Sequence, residues 1–100
     1  MDLYINTLRG YLTHHLYLDD GGCGYYIDCT PGYGMLSIEE KNGSHRISYR
    51  SIISINKTPT AYIITTKMGK INCHFNEETA AINNFFAILK TKVEVAKYDD

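Results

Sequence analysis

The fold is decided by residues 61–89, AYIITTKMGKINCHFNEETAAINNFFAIL. Residues 61–67 are rich in β-branched and aromatic side chains, and after Met68-Gly69 apolar and polar side chains alternate. This pattern predicts a β-hairpin whose second strand has one buried face. The buried face is predicted to hold Ile71, Cys73 and Phe75, and the solvent face Lys70, Asn72 and His74.

A helix is predicted directly after this hairpin. Asn76 is placed to cap it, and Glu77 and Glu78 follow where the helix dipole favours negative charge. Apolar residues then recur at helical spacing: Ala81, Ile82, Phe85, Phe86, Ile88, Leu89 and Val93. The pattern predicts an amphipathic C-terminal helix that packs on the sheet.

Another hairpin is predicted upstream, where Met35–Lys41 runs into Asn42-Gly43, a strong turn signal between two strand-like segments. In the segment that follows, Ile47 and Tyr49 are expected on one face. Arg46, Ser48 and Arg50 are expected on the other.

The alternation then breaks, because Ile52 and Ile55 are three residues apart. We expect a kink or a single 3₁₀ turn around Arg50 and Ser51. Residues 56–60, NKTPT, are predicted to form a loop, since Pro59 lacks the N–H that a central strand uses.

The first third of the chain is compatible with two interpretations. Ile5, Leu8, Leu12 and Leu16 match a helical stripe, but Gly10 would destabilise a helix interior by about 1 kcal/mol. Strands are therefore favoured for LTHHLYL and YYIDC, residues 12–18 and 25–29, with a turn between them.

Length and composition are those of one ordinary globular domain. The 100 residues can bury a core without disulfides or a metal, and 44% hydrophobic residues with a net charge of −1 are typical of soluble proteins. This balance lacks the excess of Lys and Arg that nonspecific nucleic-acid binding needs. Neither a targeting signal nor an apolar run of about 20 residues is visible. We expect a single domain, residues 1–100, that is cytoplasmic, with reduced cysteines and no membrane insertion.

Residues 13–29, THHLYLDDGGCGYYIDC, contain side chains from which metal sites and thiol nucleophiles are built. On a strand, His14 and His15 point to opposite faces, so at most one of them joins a common site. Cys23 and Cys29 do not have the spacing of paired zinc ligands. A Cys23 nucleophile with a histidine base, a thiol hydrolase, is the enzyme alternative, but no third group or oxyanion hole is identified. We predict no metal, no cofactor and no catalytic residue.

The aromatic composition favours a binding surface over a catalytic site. The chain has nine tyrosines but only three phenylalanines and no tryptophan. Tyr25, Tyr26 and Tyr33 lie in or beside the glycine-rich segment GGCGYYIDCTPGYG, residues 21–34. Tyr and Gly in exposed loops are typical of binding surfaces, because Tyr offers rigid contact area with a polar tip. Packing of these tyrosines over the sheet edges is the alternative.

A small basic patch is the second candidate surface. Arg46 and Arg50 are expected on one strand face, with Lys67 and Lys70 from the neighbouring hairpin. A solvated charged face with no partner is the alternative interpretation.

The segment from about Met35 to Leu89 resembles the second half of small bacterial PH-like domains, through "ISYRSIISI", "AYIITTKMGKINCHF" and "NEETAAINNFFAIL". This resemblance implies a twisted antiparallel sheet closed at one end by a C-terminal helix. "ISYRSIISIN" and "YIITTKMGKI" are also similar to LytTR-type DNA-binding domains, which continue into a further segment with basic DNA-contacting residues. We therefore expect a mainly β (α+β) domain, a small antiparallel sheet or partly open barrel, PH-like, with one C-terminal amphipathic helix.

The leading functional hypothesis is a non-enzymatic protein-interaction module, such as a phage or mobile-element inhibitor or adaptor. It would bind another protein through Tyr25, Tyr26, Tyr33, Arg46 and Arg50, and through a sheet edge. Nucleic-acid binding through the Arg46 and Arg50 face is the second hypothesis, and the thiol hydrolase is the third. Self-association is left open.

Overall fold

The computed structural model describes residues 2–6, 15–18, 24–27, 34–40 and 43–98. These residues form eight strands, a 3₁₀ helix and an α-helix. The strands are β1 Asp2–Asn6, β2 His15–Leu18, β3 Gly24–Ile27, β4 Met35–Glu40, β5 Gly43–Ser48, β6 Ile52–Lys57, β7 Ala61–Thr66 and β8 Gly69–Phe75. The 3₁₀ helix Tyr49–Ser51 joins β5 to β6, and α1 spans Ala80–Tyr98.

The strands form one sheet in the order β5-β4-β3-β2-β1-β8-β7-β6. Neighbouring strands are antiparallel except β1 and β8, which run parallel with Leu3 opposite Cys73 and Ile5 opposite Phe75. Within the described ranges no ladder joins the edge strands β5 and β6, so the sheet is open. The prediction of a mainly β domain with one C-terminal helix is confirmed, and the parallel pair is an addition that the sequence did not indicate.

The strand interpretation of the first third is confirmed where the structure describes it. β1 pairs with β2 on one side, with Ile5 opposite Leu18, and with β8 on the other side. Leu3 and Ile5 are buried, so β1 contributes to the core. This strand therefore joins the two halves of the sheet.

Both glycines of the predicted turns are the first residues of strands. Gly43 begins β5 opposite Glu40, and residues 41–42 lie outside the described residues. Gly69 begins β8 opposite Thr66 with a φ of 138°, a conformation that only glycine adopts easily. The chain therefore reverses at residues 67–68, between β7 and β8. The positive φ of Gly69 allows pairing with β7 to begin at the first residue of β8.

The kink predicted after β5 is confirmed as the 3₁₀ helix. Ser48 stabilises it twice: its side chain accepts a hydrogen bond from Arg50 N at 3.3 Å, and its carbonyl accepts one from Ser51 Oγ at 2.7 Å. Tyr49 is buried at this bend, and a Cβ at Gly34 would overlap its ring. The close approach explains why glycine stands immediately before β4.

The predicted start of the helix is wrong by one turn. Thr79, not Asn76, is the capping residue, because its hydroxyl accepts a hydrogen bond from Ile82 N at 3.3 Å and its carbonyl one from Asn83 N at 3.1 Å. Asn76 is an exposed residue of the bend that follows β8. Both residue types cap helices well. The choice between them therefore depends on where the helix begins to pack on the sheet, and not on the capping preference of either residue.

One face of the sheet and the apolar stripe of α1 form the core. The predicted stripe is confirmed, with Ile82, Phe85, Phe86, Leu89 and Val93 buried. The sheet contributes Leu3, Ile5, Leu36, Ile38, Ile52, Ile64, Ile71, Cys73 and Phe75, and the 3₁₀ helix contributes Tyr49. Within the described part of the chain, no helix has the combination of length and apolar character that a membrane crossing requires.

Candidate functional site

β5 and the 3₁₀ helix carry the two arginines that the sequence predicts to bind a partner. Arg46 and Arg50 are exposed, and so is Ser48 between them. Tyr49 is buried, and Ile47 is half-buried against the core. The predicted division of this segment into an inner and an outer face is therefore confirmed. We call Arg46, Ser48 and Arg50 the β5 surface.

The strand register connects the β5 surface to Tyr26. Arg46 lies opposite Ser37 of β4, and Ser37 lies opposite Tyr26 of β3. Positions 26, 37 and 46 therefore form one row across three strands, and directly opposed positions are the close neighbours of a sheet. Tyr25 lies opposite Ile38, which is fully buried.

The strand predicted over residues 25–29 is confirmed for residues 25–27, and a recognition role for residues 21–34 stays a prediction. Gly24–Ile27 is a strand, with β2 on one side and β4 on the other. Tyr33 lies outside the described residues, so its role stays a prediction.

The structure brings the β7–β8 connection next to the β5 surface. Lys67 N donates a hydrogen bond of 3.1 Å to the carbonyl of Ser51, the last residue of the 3₁₀ helix. Lys70 lies farther along β8, opposite Thr65 of β7. Both lysines are exposed. Lys67 of the predicted basic patch thus has its backbone beside the 3₁₀ helix that carries Arg50. Lys70, by contrast, lies within β8.

A polar cluster that the sequence did not indicate spans β1 and β8. Asp2 Oδ1 lies 3.0 Å from His74 Nε2 and accepts a hydrogen bond of 3.1 Å from Asn72 Nδ2. The ring of Tyr4 stacks on His74, with 5.0 Å between ring centroids and 22° between planes. Parallel pairing of β1 with β8 creates this cluster from residues 72 positions apart, so no local pattern could have revealed it.

The cluster combines a carboxylate and an imidazole, which enzymes use to orient a base. The hydrogen bonds from His74 and then Asn72 lower the pKa of Asp2 below its ordinary value of 3.8. Nucleophilic catalysis also requires a nucleophile within hydrogen-bond reach of the base. Cys73 does not supply one, because it is fully buried on the opposite face of β8, among core residues. What this geometry achieves is to fasten β1 to β8 on the outer face.

The remaining candidates from the sequence stay predictions. His14, Cys23 and Cys29 lie outside the described residues, and His15 is described as a backbone position in β2. Among the described side chains, no group of three or more His, Cys, Asp and Glu is placed to hold a metal ion.

A second polar group fastens β7 to the start of α1. The Tyr62 hydroxyl donates a hydrogen bond of 2.6 Å to Asn83 Oδ1, and its ring stacks on Phe86 with centroids 4.1 Å apart. Burial raises the pKa of Tyr62. Beside it, an ion pair between Lys57 and Glu78 lowers the pKa of Glu78 and raises that of Lys57. This arrangement positions the helix.

Comparison with known proteins identifies no relative. No protein-family model matches the chain, and no significant match exists among the curated proteins or the solved structures.

Proposed function

We propose that this protein is a non-enzymatic protein-interaction module that binds a partner through the β5 surface. The observation that carries the proposal is the position of Arg46 and Arg50, exposed on the edge strand of the sheet and on the 3₁₀ helix that leaves it. Arginine is enriched at protein interfaces and at their hot spots. Tyr26 is included as a contact residue, since the register places it in the row of Arg46.

The chemistry of the described residues supports binding over catalysis. The Asp2–His74 pair makes its contacts with Asn72 and Tyr4, and the neighbouring thiol of Cys73 is buried. Arg46 on β5, Arg50 on the 3₁₀ helix and Lys67, whose backbone bonds to that helix, are exposed cations in a chain whose net charge is −1. A partner with an acidic contact surface fits this arrangement. Such a module is suited to work as a cytoplasmic inhibitor or adaptor, including one of phage or mobile-element origin.

Affinity capture with matched variants tests the proposal. The tagged protein, its Arg46→Glu variant and its Lys90→Glu variant are used as baits in a lysate of the organism that encodes the protein, and captured proteins are identified by mass spectrometry. Lys90 is the control, because it is an exposed cation on α1 and is not part of the β5 surface. We expect a protein that is captured by the unmodified bait and by Lys90→Glu and is lost with Arg46→Glu. Unfolding temperatures confirm that each bait is folded.

Two outcomes contradict the proposal. Capture that is insensitive to Arg46→Glu places the contact elsewhere. Capture of nucleic acid that weakens steeply with salt and is lost with Arg46→Glu means that the basic residues bind phosphates, which is the alternative function.

A further inference from the structure

We infer that β5 is a docking strand, to which an extended acidic segment of the partner adds as an antiparallel edge strand. The inference rests on the proposed function and specifies its binding mode. Strand addition derives its affinity from main-chain hydrogen bonds and its specificity from alternate side chains. Both sets of groups can be identified from the β5 register.

The register shows which backbone groups of β5 point away from β4. Tyr49 N donates a hydrogen bond of 3.4 Å to the carbonyl of Gly34, in continuation of the β4–β5 pairing. In an antiparallel pair, residues alternate between bonding to the neighbouring strand and pointing away from it. Ile47 therefore bonds toward β4, and Arg46 directs its N–H and C=O outward, as does Ser44. The outward carbonyl of Ser48 accepts the Ser51 hydroxyl, so the docking site centres on Arg46.

The other edge of the sheet is protected against strand addition. The register of β6 with β7 shifts between Ile52 and Ser54, which marks a bulge. Lys97 Nζ donates a hydrogen bond of 3.4 Å to the carbonyl of Ile53 at this bulge. Bulges and lysines are devices that prevent edge pairing. By contrast, the pairing of β5 with β4 is continuous from Met35 opposite Ser48 to Glu40 opposite Gly43.

The side chains of β5 indicate the sequence of the occupant. Arg46 is exposed on the outer face, and Ile47 is half-buried on the inner face, where an added strand would cover it. Side chains directly opposite on neighbouring strands share a face and interact. The complementary segment therefore carries a carboxylate opposite Arg46 and apolar residues at alternate positions.

Charge disfavours a second copy of this chain as the occupant. Antiparallel pairing of β5 with its own copy in the register centred on Arg46 brings the two Arg46 side chains directly opposite each other, and like charges directly opposite are destabilising. An acidic segment replaces this repulsion with attraction, so Arg46 selects against self-pairing as well as for the partner.

Backbone methylation of a peptide tests the inference without relying on variants that must fold. The probe is an acetylated and amidated hexapeptide of alternating Glu and Val, prepared also with all three Glu or all three Val N-methylated. A Glu opposite Arg46 in an antiparallel pair directs its N–H toward β5, and the adjacent Val directs its N–H away. We expect the Glu-methylated peptide to lose binding and the Val-methylated peptide to retain it in an NMR titration. Equal effects of both methylations, or loss confined to the Val-methylated peptide, would overturn the inference.

Charge variants separate this inference from the proposed function. Arg46→Ala should weaken binding of the unmethylated peptide about tenfold, as should replacement of its Glu residues by Lys, whereas Lys90→Ala should leave binding unchanged. If affinity capture depends on Arg46 and the peptides show no methylation pattern, strand addition is wrong and the interaction function stands. If capture does not depend on Arg46, the proposed function itself fails.

Discussion

Phe85 is one of the largest fully buried side chains in the core. It is 1% exposed and meets Phe86 edge-on, with 5.2 Å between ring centroids. We predict that Phe85→Ala lowers the free energy of unfolding by about 3 to 5 kcal/mol, because it leaves a cavity in a closed core. Asn84→Ala, at an exposed position of the same helix, should change it by less than about 0.5 kcal/mol in the same urea titration. A loss below about 1 kcal/mol for Phe85→Ala would contradict the packing.

Asp2 makes the stability of the folded protein depend on pH, because its contribution is lost in acid. Because its pKa is lowered in the folded protein, its contribution is present above the ordinary value of 3.8 and is lost as pH falls through the lowered pKa. We predict that Asp2→Asn is less stable than the parent at pH 7 and that the difference shrinks toward zero in acid. The measurement is urea unfolding from pH 7 downward. Glu77→Gln is the control, since it removes an exposed carboxylate outside β1 and β8. A constant difference across pH would exclude the Asp2 interactions as its source.

At the scale of the single element, the start of α1 provides a test of which residue caps it. Thr79→Ala should cost about 1 kcal/mol of unfolding free energy, because Ile82 N loses its hydrogen-bond acceptor. Asn76→Ala should have almost no effect, although the sequence pattern favours Asn76 as the cap. Thermal or urea unfolding of the two variants distinguishes the positions, and a larger effect at Asn76 would show that the helix begins earlier.

The elements also show why local patterns succeed or fail. In β8 apolar and polar side chains alternate, and in α1 apolar side chains form a stripe, because each element buries one face. Both patterns are visible in the sequence as a regular spacing of apolar residues. The 3₁₀ helix was predictable for the same reason, since the spacing of Ile52 and Ile55 breaks the period of a strand. β3 was predicted as part of a strand over residues 25–29, but its pairing with β4 was not, because that contact depends on the tertiary structure. The candidate site followed this division: the exposure of Arg46 was predictable, and its position on an edge was not.

At the scale of the whole molecule, the parallel contact of β1 with β8 holds the two halves of the sheet together. Leu3 is 4% exposed and lies opposite Cys73, which is fully buried. In a Cys23→Ser, Cys29→Ser background, we predict that Cys73 reacts with a thiol reagent only when the protein opens. Leu3→Ala should accelerate the reaction by the factor by which it increases the population of the open state, whereas Ile53→Ala, at a residue that is 54% exposed, should not. Rapid reaction of Cys73 in the parent background, or equal rates for the two variants, would show that β1 does not cover this part of the core.

The sequence by itself determined the class of the domain, the buried faces of β5 and β8, the bend at Tyr49–Ser51 and the apolar stripe of α1. Each of these depends on side chains within a few residues of one another, whose alternation or helical spacing reflects contact with one core. Only the tertiary structure decided that β1 lies between β2 and β8, that Asp2 contacts His74, and that β5 is an edge strand near the connection between β7 and β8 that contains Lys67. These contacts join residues far apart in the chain, and the free energy that selects them comes from burying many side chains together, which no local pattern records.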